Sequence, residues 1–239
     1  MVRQLQIKSP FFEIGPKNYL YGDQILDLAR IADEAAVKYG VTVIFTTPYV
    51  QISQVANTTK NLLVFAPHMD DIEVGRGLAS VLAESVKSAG AAGVMLNHVE
   101  KPLPVSVLCN TIRRARSLDL LTIACADSIV ETKAVAQMFP DLMITEPAEL
   151  IGTGVACNTS YVQTSMKTVL SVQPNIGVLV GGGVYSGDDV YRIIYAGADA
   201  TGSSSGIAKA KDPESMVREM LSAVRDAWDA RPQPVYSFC

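Results

Sequence analysis

Three kinds of ionisable side chain stand where the chain can bring them together: Lys17, His98 with Asn97 beside it, and Glu146. An ammonium, an imidazole and a carboxylate around one small molecule could stabilise a developing negative charge and move a proton. Taken singly, each is a common surface residue, and an ordinary loop position is the competing reading for every one. Two clusters of small residues, Gly181-Gly182-Gly183 and Gly202-Ser203-Ser204-Ser205-Gly206, would let backbone N–H groups come close to an anion. Flexible loops are the alternative for either cluster. The segment from Glu146 to Gly154 begins on a carboxylate, is stiffened by Pro147 and is freed by Gly152 and Gly154. It suits a lid that closes over a substrate and excludes water.

The elements that must position these groups follow from the hydrophobic pattern. Short apolar runs at 10–15, 41–46, 61–66, 92–97, 120–125, 141–145, 177–181 and 198–202 read as strands. Most are continuously apolar rather than alternating, as parallel strands covered on both faces require. The eighth, rich in small residues, is assigned mainly because the alternation of elements demands it. Helices are expected at 22–39, 50–58, 79–89, 104–117, 127–138, 159–172, 187–196 and 213–229. In the first, Ile25, Leu28, Ala29, Ala32, Ala35 and Ala36 recur at helical spacing. Gly40, Gly90 and Gly197 stand where helices end, and Asp212-Pro213 opens the last one. Eight βα units without a linker break favour one (β/α)8 barrel over residues 1–239 of the α/β class, against an open doubly wound sheet. Residues 231–239 read as a tail outside the repeat. In such a barrel Lys17, Asn97-His98 and Glu146 fall at the C-terminal ends of strands, where active sites lie, and the two small-residue clusters fall at the usual phosphate grip after strands seven and eight.

Composition narrows the partners. A formal net charge of −4 with no Lys/Arg cluster argues against a nucleic-acid partner. No run approaches the roughly 20 apolar residues of a membrane span, and the first residues lack a signal peptide's apolar stretch. Cys109, Cys125, Cys157 and Cys239 are scattered without a CxxC or companion histidines, so reduced thiols of a cytoplasmic protein are expected and a metal site is not.

Several stretches together resemble the triose-phosphate isomerase family, especially its shorter archaeal-type members. They are Gly15-Pro-Lys17-Asn-Tyr, Leu-Asn97-His98-Val-Glu100, Glu146-Pro-Ala-Glu-Leu-Ile-Gly-Thr-Gly154, Gly181-Gly-Gly183-Val with Ser186-Gly-Asp-Asp-Val190, and Ser205-Gly-Ile-Ala-Lys-Ala-Lys-Asp-Pro213. The resemblance implies the TIM barrel and interconversion of dihydroxyacetone phosphate and glyceraldehyde 3-phosphate without a cofactor. It makes Glu146 the proton-moving base, His98 a neutral electrophile and Lys17 the fixed positive charge, a division of labour that comes with the family and not from the spacing of these residues. It further implies that Glu100 shuttles protons or anchors Lys17 and that Asn97 positions the lysine and the chain around it. Cys125 falls behind the base. Gly152 of the lid and the amides of Gly182, Gly183, Ser204 and Ser205 would hold the phosphate, and a homodimer or homotetramer is expected.

The departures from the family concern substrate contacts. Its Asn-Phe-Lys is Gly15-Pro16-Lys17 here, which puts Gly15 at a substrate-facing position without a side chain. Val99 stands for a serine, and Leu78-Ala79 aligns with a Thr-Gly that reaches the neighbouring subunit's site. These losses motivate an alternative, an isomerase of a tetrulose or pentulose phosphate. Residues 67–79 are a candidate intersubunit loop, with a solvated surface loop the competing reading.

Overall fold

Eight short strands, each followed by at least one helical segment, alternate along the chain in a computed structural model that describes residue 7 and residues 9–232. The strands are β1 (Phe11–Ile14), β2 (Thr42–Thr46), β3 (Leu62–Ala66), β4 (Gly93–Leu96), β5 (Leu121–Ala126), β6 (Leu142–Thr145), β7 (Gly177–Val180) and β8 (Ala200–Ser203). The helices are α1 (Asp23–Tyr39), α2 (Ile52–Thr58), α3 (Ala83–Ser88), α4 (Val105–Ser117), α5 (Ile129–Ala136), α6 (Thr159–Val172), α7 (Gly187–Tyr195), α8 (Ser205–Ala208) and α9 (Pro213–Ala230). Every strand pairs in parallel with its neighbours, and β8 returns to β1, so the sheet closes into a (β/α)8 barrel.

Alternation along each strand sorts its side chains into two cores. Phe11, Ile44, Phe65, Met95, Ile123, Ile144 and Leu179 fill the barrel, while Phe12, Ile14, Val43, Phe45, Val178 and Val180 face the helices. Small residues make the interior fit: a Cβ at Gly93 would stand 2.5 Å from the Phe65 ring. Inward on β1, the residue after Phe11 is Glu13, and it is buried.

The helices begin and end on local signals. Ser128, Asn158, Ser186 and Asp212 each accept a hydrogen bond from the backbone N–H three residues on, satisfying an otherwise orphaned donor. Gly40, Gly90 and Gly197 all take positive φ. The eighth strand forms despite its weak sequence, because four of its residues pair with β1, from Phe11↔Ala200 to Ile14↔Ser203.

Two expectations change. The third helix, expected from residue 79, starts at Ala83. Residues 67–82 instead form a loop in which Gly77 and Ala79 take positive φ and Asp70 clasps Val81, through both its backbone N–H and its carboxylate. Of the expected tail, Arg231 belongs to the fold: it is buried, stacks on Trp228 and donates to the Ala198 carbonyl at 2.9 Å. Residues 233–239, with Cys239, lie outside the described residues. Among those described, no helix is long and apolar enough to cross a membrane.

Candidate active site

A cavity of about 470 Å³ opens at the C-terminal ends of the strands. Lys17, His98, Glu100 and Glu146 line it, as do Gly15, Gly152, Gly182, Gly183, Ser204 and Ser205. Side chains as far apart in sequence as Lys17 and Glu146 thus meet because a closed barrel gathers all its strand ends on one rim. Asn97 is the exception among the expected site residues. Its side chain donates to the Cys125 carbonyl at 3.0 Å and to Glu131 at 2.9 Å, and accepts from the Leu103 N–H at 2.9 Å. It braces the turn that carries His98 and does not line the cavity.

The ionisable groups sit close together. His98 Nε2 is 3.3 Å from Glu146 Oε1, and both side chains are mostly shielded from solvent. The Lys17 ammonium stands 3.4 Å from the same imidazole nitrogen and donates to Glu100 Oε1 at 3.0 Å. On the far side of the ring, Nδ1 faces the backbone N–H of Glu100 at 3.1 Å. An N–H can only donate, so Nδ1 accepts and the proton of the neutral ring is on Nε2, directed into the cavity.

The backbone that presents these groups is locally unusual. Lys17 has φ 47 and Asn97 has φ 59, left-handed conformations that cost a non-glycine residue about 1 kcal/mol or more and cluster at functional sites. Gly181 leaves room for the base: a Cβ there would stand 3.1 Å from Glu146 Oε2. At Gly183 a Cβ would meet the Val155 carbonyl oxygen at 2.1 Å, because the segment after Glu146 runs directly across it. That segment holds itself together by turn bonds, Leu150 N–H to Pro147 O and Thr153 N–H to Leu150 O.

The end of β8 is latched to the loop after β7, with the Ser203 hydroxyl donating to the Val184 carbonyl at 2.9 Å. The Ser204 hydroxyl is buried without a hydrogen-bond partner among the described residues, a group an anion's oxygen would satisfy. Gly182, Gly183, Ser204 and Ser205 belong to the same wall.

Two further groups line or abut the site. Cys125, inside the barrel on β5, is a thiol that burial and then the nearby Glu146 and Glu13 push well above its usual range. It is therefore a packing group and not a thiolate nucleophile. Glu13 lines the cavity itself, and reading the strand as a plain apolar run overlooks it. Burial raises its carboxyl to about 7, while Thr46, Lys17 and His98 pull downward and Glu146 pushes up. The Thr46 hydroxyl is near enough to favour the charged form yet stands outside hydrogen-bonding geometry. The signal in the sequence is a lone carboxylate in the inward phase of β1, between Phe11 and Gly15.

Comparison with known proteins places this geometry among relatives. A family model described as Triosephosphate isomerase matches residues 17–220. The chain is 32% identical over 210 residues to the triosephosphate isomerase of Methanocaldococcus jannaschii, covering 87% of this chain and 95% of that one. It is 31% identical over 229 residues to the triosephosphate isomerase of Sulfolobus acidocaldarius, covering 94% and 99%. With the enzyme of the same name from Methanothermobacter thermautotrophicus it shares 30% over 230 residues, covering 94% and 100%.

Proposed function

Because the chain belongs to the triosephosphate isomerase family, we propose that Glu146, His98 and Lys17 together interconvert dihydroxyacetone phosphate and glyceraldehyde 3-phosphate. The enzyme is an isomerase of aldose and ketose phosphates, and its substrate is a phosphorylated sugar.

In this reading the Glu146 carboxylate removes a proton from the carbon next to the carbonyl. The C–H electrons become the double bond of an enediol(ate), and charge builds on the former carbonyl oxygen. His98 Nε2–H faces that oxygen and donates to it, and Lys17 stabilises the charge electrostatically. His98 passes its Nε2 proton to that oxygen and takes the proton of the neighbouring hydroxyl, while Glu146 returns its proton to the neighbouring carbon, so base and imidazole end as they began. Glu100 anchors the ammonium, and Asn97 acts at one remove as a positioning residue for His98. The segment after Glu146 closes the cavity, with Gly152 and the amides of Gly182, Gly183, Ser204 and Ser205 on the phosphate.

The observation that carries this reading is the 3.3 Å approach of His98 Nε2 to Glu146 Oε1 on a ring whose other nitrogen is turned to a backbone donor. The departures at Gly15, Val99 and Leu78 motivated a tetrulose or pentulose phosphate as substrate, and the comparisons do not favour that alternative. A panel of phosphorylated aldoses and ketoses from three to five carbons tests the choice. The triose phosphates should show the highest kcat/KM; no turnover of them would refute the proposal.

The same reading extends to a cytoplasmic protein that assembles as a homodimer or homotetramer. Val74 and Leu78 lie exposed on the loop after β3, with Leu78 fully open, which supports an intersubunit role for residues 67–79. Light scattering reads the assembly directly, and a monomer of this chain would remove that part.

A further inference from the structure

Position 15 has no side chain, yet the space beside it is filled. A Cβ built on Gly15 would stand 2.8 Å from Glu13 Oε1, and one built on Gly202 would stand 3.1 Å from Glu13 Oε2. Gly15, directly after β1, and Gly202, on the neighbouring strand β8, leave between them the room in which the Glu13 carboxyl group lies. Phe11 fixes the inward phase beneath it, so Glu13 points up the barrel axis into the cavity lined by Lys17, His98 and Glu146.

We propose that Glu13 is a substrate-contacting residue, whose carboxyl group stands in the place a side chain at position 15 would take and hydrogen-bonds an oxygen of the sugar phosphate. This deepens the isomerase reading and rests on it. A buried carboxyl group without a cation of its own is costly to keep, and Lys17, the one cation among the groups acting on it, donates to Glu100. Its surroundings are mixed: Lys17 and His98 favour the charged form, while Glu146 and the low-dielectric interior oppose it. Thr46 of β2 and Cys125 of β5 are close enough to act on it or feel its charge. In the acid form Glu13 offers one donor and spare acceptor sites, a set matched to a carbonyl or hydroxyl oxygen and compatible with an anionic substrate. As a carboxylate it would repel the charge that develops at the enediolate. Substrate binding therefore favours the protonated form.

The test compares wild type with Glu13→Gln and Glu13→Ala. The readouts are kcat and KM on glyceraldehyde 3-phosphate and affinity for 2-phosphoglycolate, whose planar carboxylate copies the two oxygens of an enediolate. Loss of one hydrogen bond to a charged ligand predicts about tenfold weaker binding by Glu13→Ala near pH 6, with Glu13→Gln recovering to within about threefold of wild type. Raising the pH to about 8.5 should weaken wild type about tenfold relative to Glu13→Gln, since only the carboxylate can ionise. Equal affinities of Glu13→Ala and wild type, or a wild-type-to-Gln ratio that does not move with pH, would overturn the contact. If Glu13→Ala does not fold, that ratio decides alone. Turnover of triose phosphates with indifferent Glu13 variants would sink the contact and spare the isomerase reading. Absence of turnover with Glu13-dependent 2-phosphoglycolate binding would do the reverse.

Discussion

The backbone N–H of Glu100 donates to Nδ1 of His98 at 3.1 Å, so the imidazole presents its Nε2–H to Glu146 and to any ligand in the cavity. In the proposed mechanism that bond makes His98 a donor through Nε2–H to the substrate's carbonyl oxygen. Nitrogen-15 spectra should show an unprotonated Nδ1 and a protonated Nε2 at neutral pH, whereas two protonated ring nitrogens would contradict the assignment. His98→Ala should lower kcat by about 10²–10³-fold, the usual effect of deleting one donor to a developing oxyanion.

Lys17 is held at φ 47, so its backbone is strained beneath the charge that the proposed mechanism uses. Lys17→Gly separates the two properties. Stability should stay within about 1 kcal/mol of wild type, because glycine accepts that conformation freely. Isomerase kcat/KM should fall by about 10³-fold or more with the fixed charge gone. Parallel denaturation and kinetic measurements check both halves.

Gly183 is the floor on which the segment after Glu146 rests. Gly183→Ala places a methyl group 2.1 Å from the Val155 carbonyl oxygen at a φ of 69, so the segment must move. Misplacement on the scale of about 1 Å predicts roughly a 10²-fold loss of kcat/KM. Hydrogen exchange should rise in residues 150–156 and stay unchanged in β5 and β6. Unaltered kinetics would show that closure does not depend on this contact.

Much of this arrangement is legible in the sequence, for identifiable reasons. Runs such as Val41–Thr46 and Leu120–Cys125 read as buried parallel strands because both faces are covered, and their order then sets which loops share a rim. Lys17, His98 and Glu146 could be placed at strand ends without knowing any distance. The start of α3 was not legible, because Leu78 to Ala83 looks helical by composition while Gly77 and Ala79 sit at positive φ and Asp70 ties down Val81. Glu13 was missed because a single carboxylate in an apolar run carries no motif. Its meaning emerges only from the packing of β1 against β8. The bracing by Asn97 likewise depends on Cys125 and Glu131, partners on the next βα unit.

The Glu13 carboxyl also sets a pH dependence of stability. Its value in the folded protein, about 7, lies above the ordinary 4.5, so the folded state holds the proton more tightly than the unfolded one. The associated stability is therefore full below about pH 4.5 and is lost as pH rises towards 7 and beyond. Glu13→Gln escapes that loss. Urea denaturation should show Glu13→Gln gaining about 2–3 kcal/mol on wild type between about pH 5 and pH 8. A pH-independent difference would mean that Glu13 titrates alike in both states.

Proton exchange in heavy water tests the role of Glu146 at the reacting carbon most directly. Wild type turning over dihydroxyacetone phosphate in D2O should place deuterium on the carbon beside the carbonyl. Glu146→Gln, folded and still able to bind 2-phosphoglycolate, should incorporate it about 10²–10⁴-fold more slowly. Exchange at the wild-type rate in Glu146→Gln would contradict the account, because the proton would then be moving through some other group.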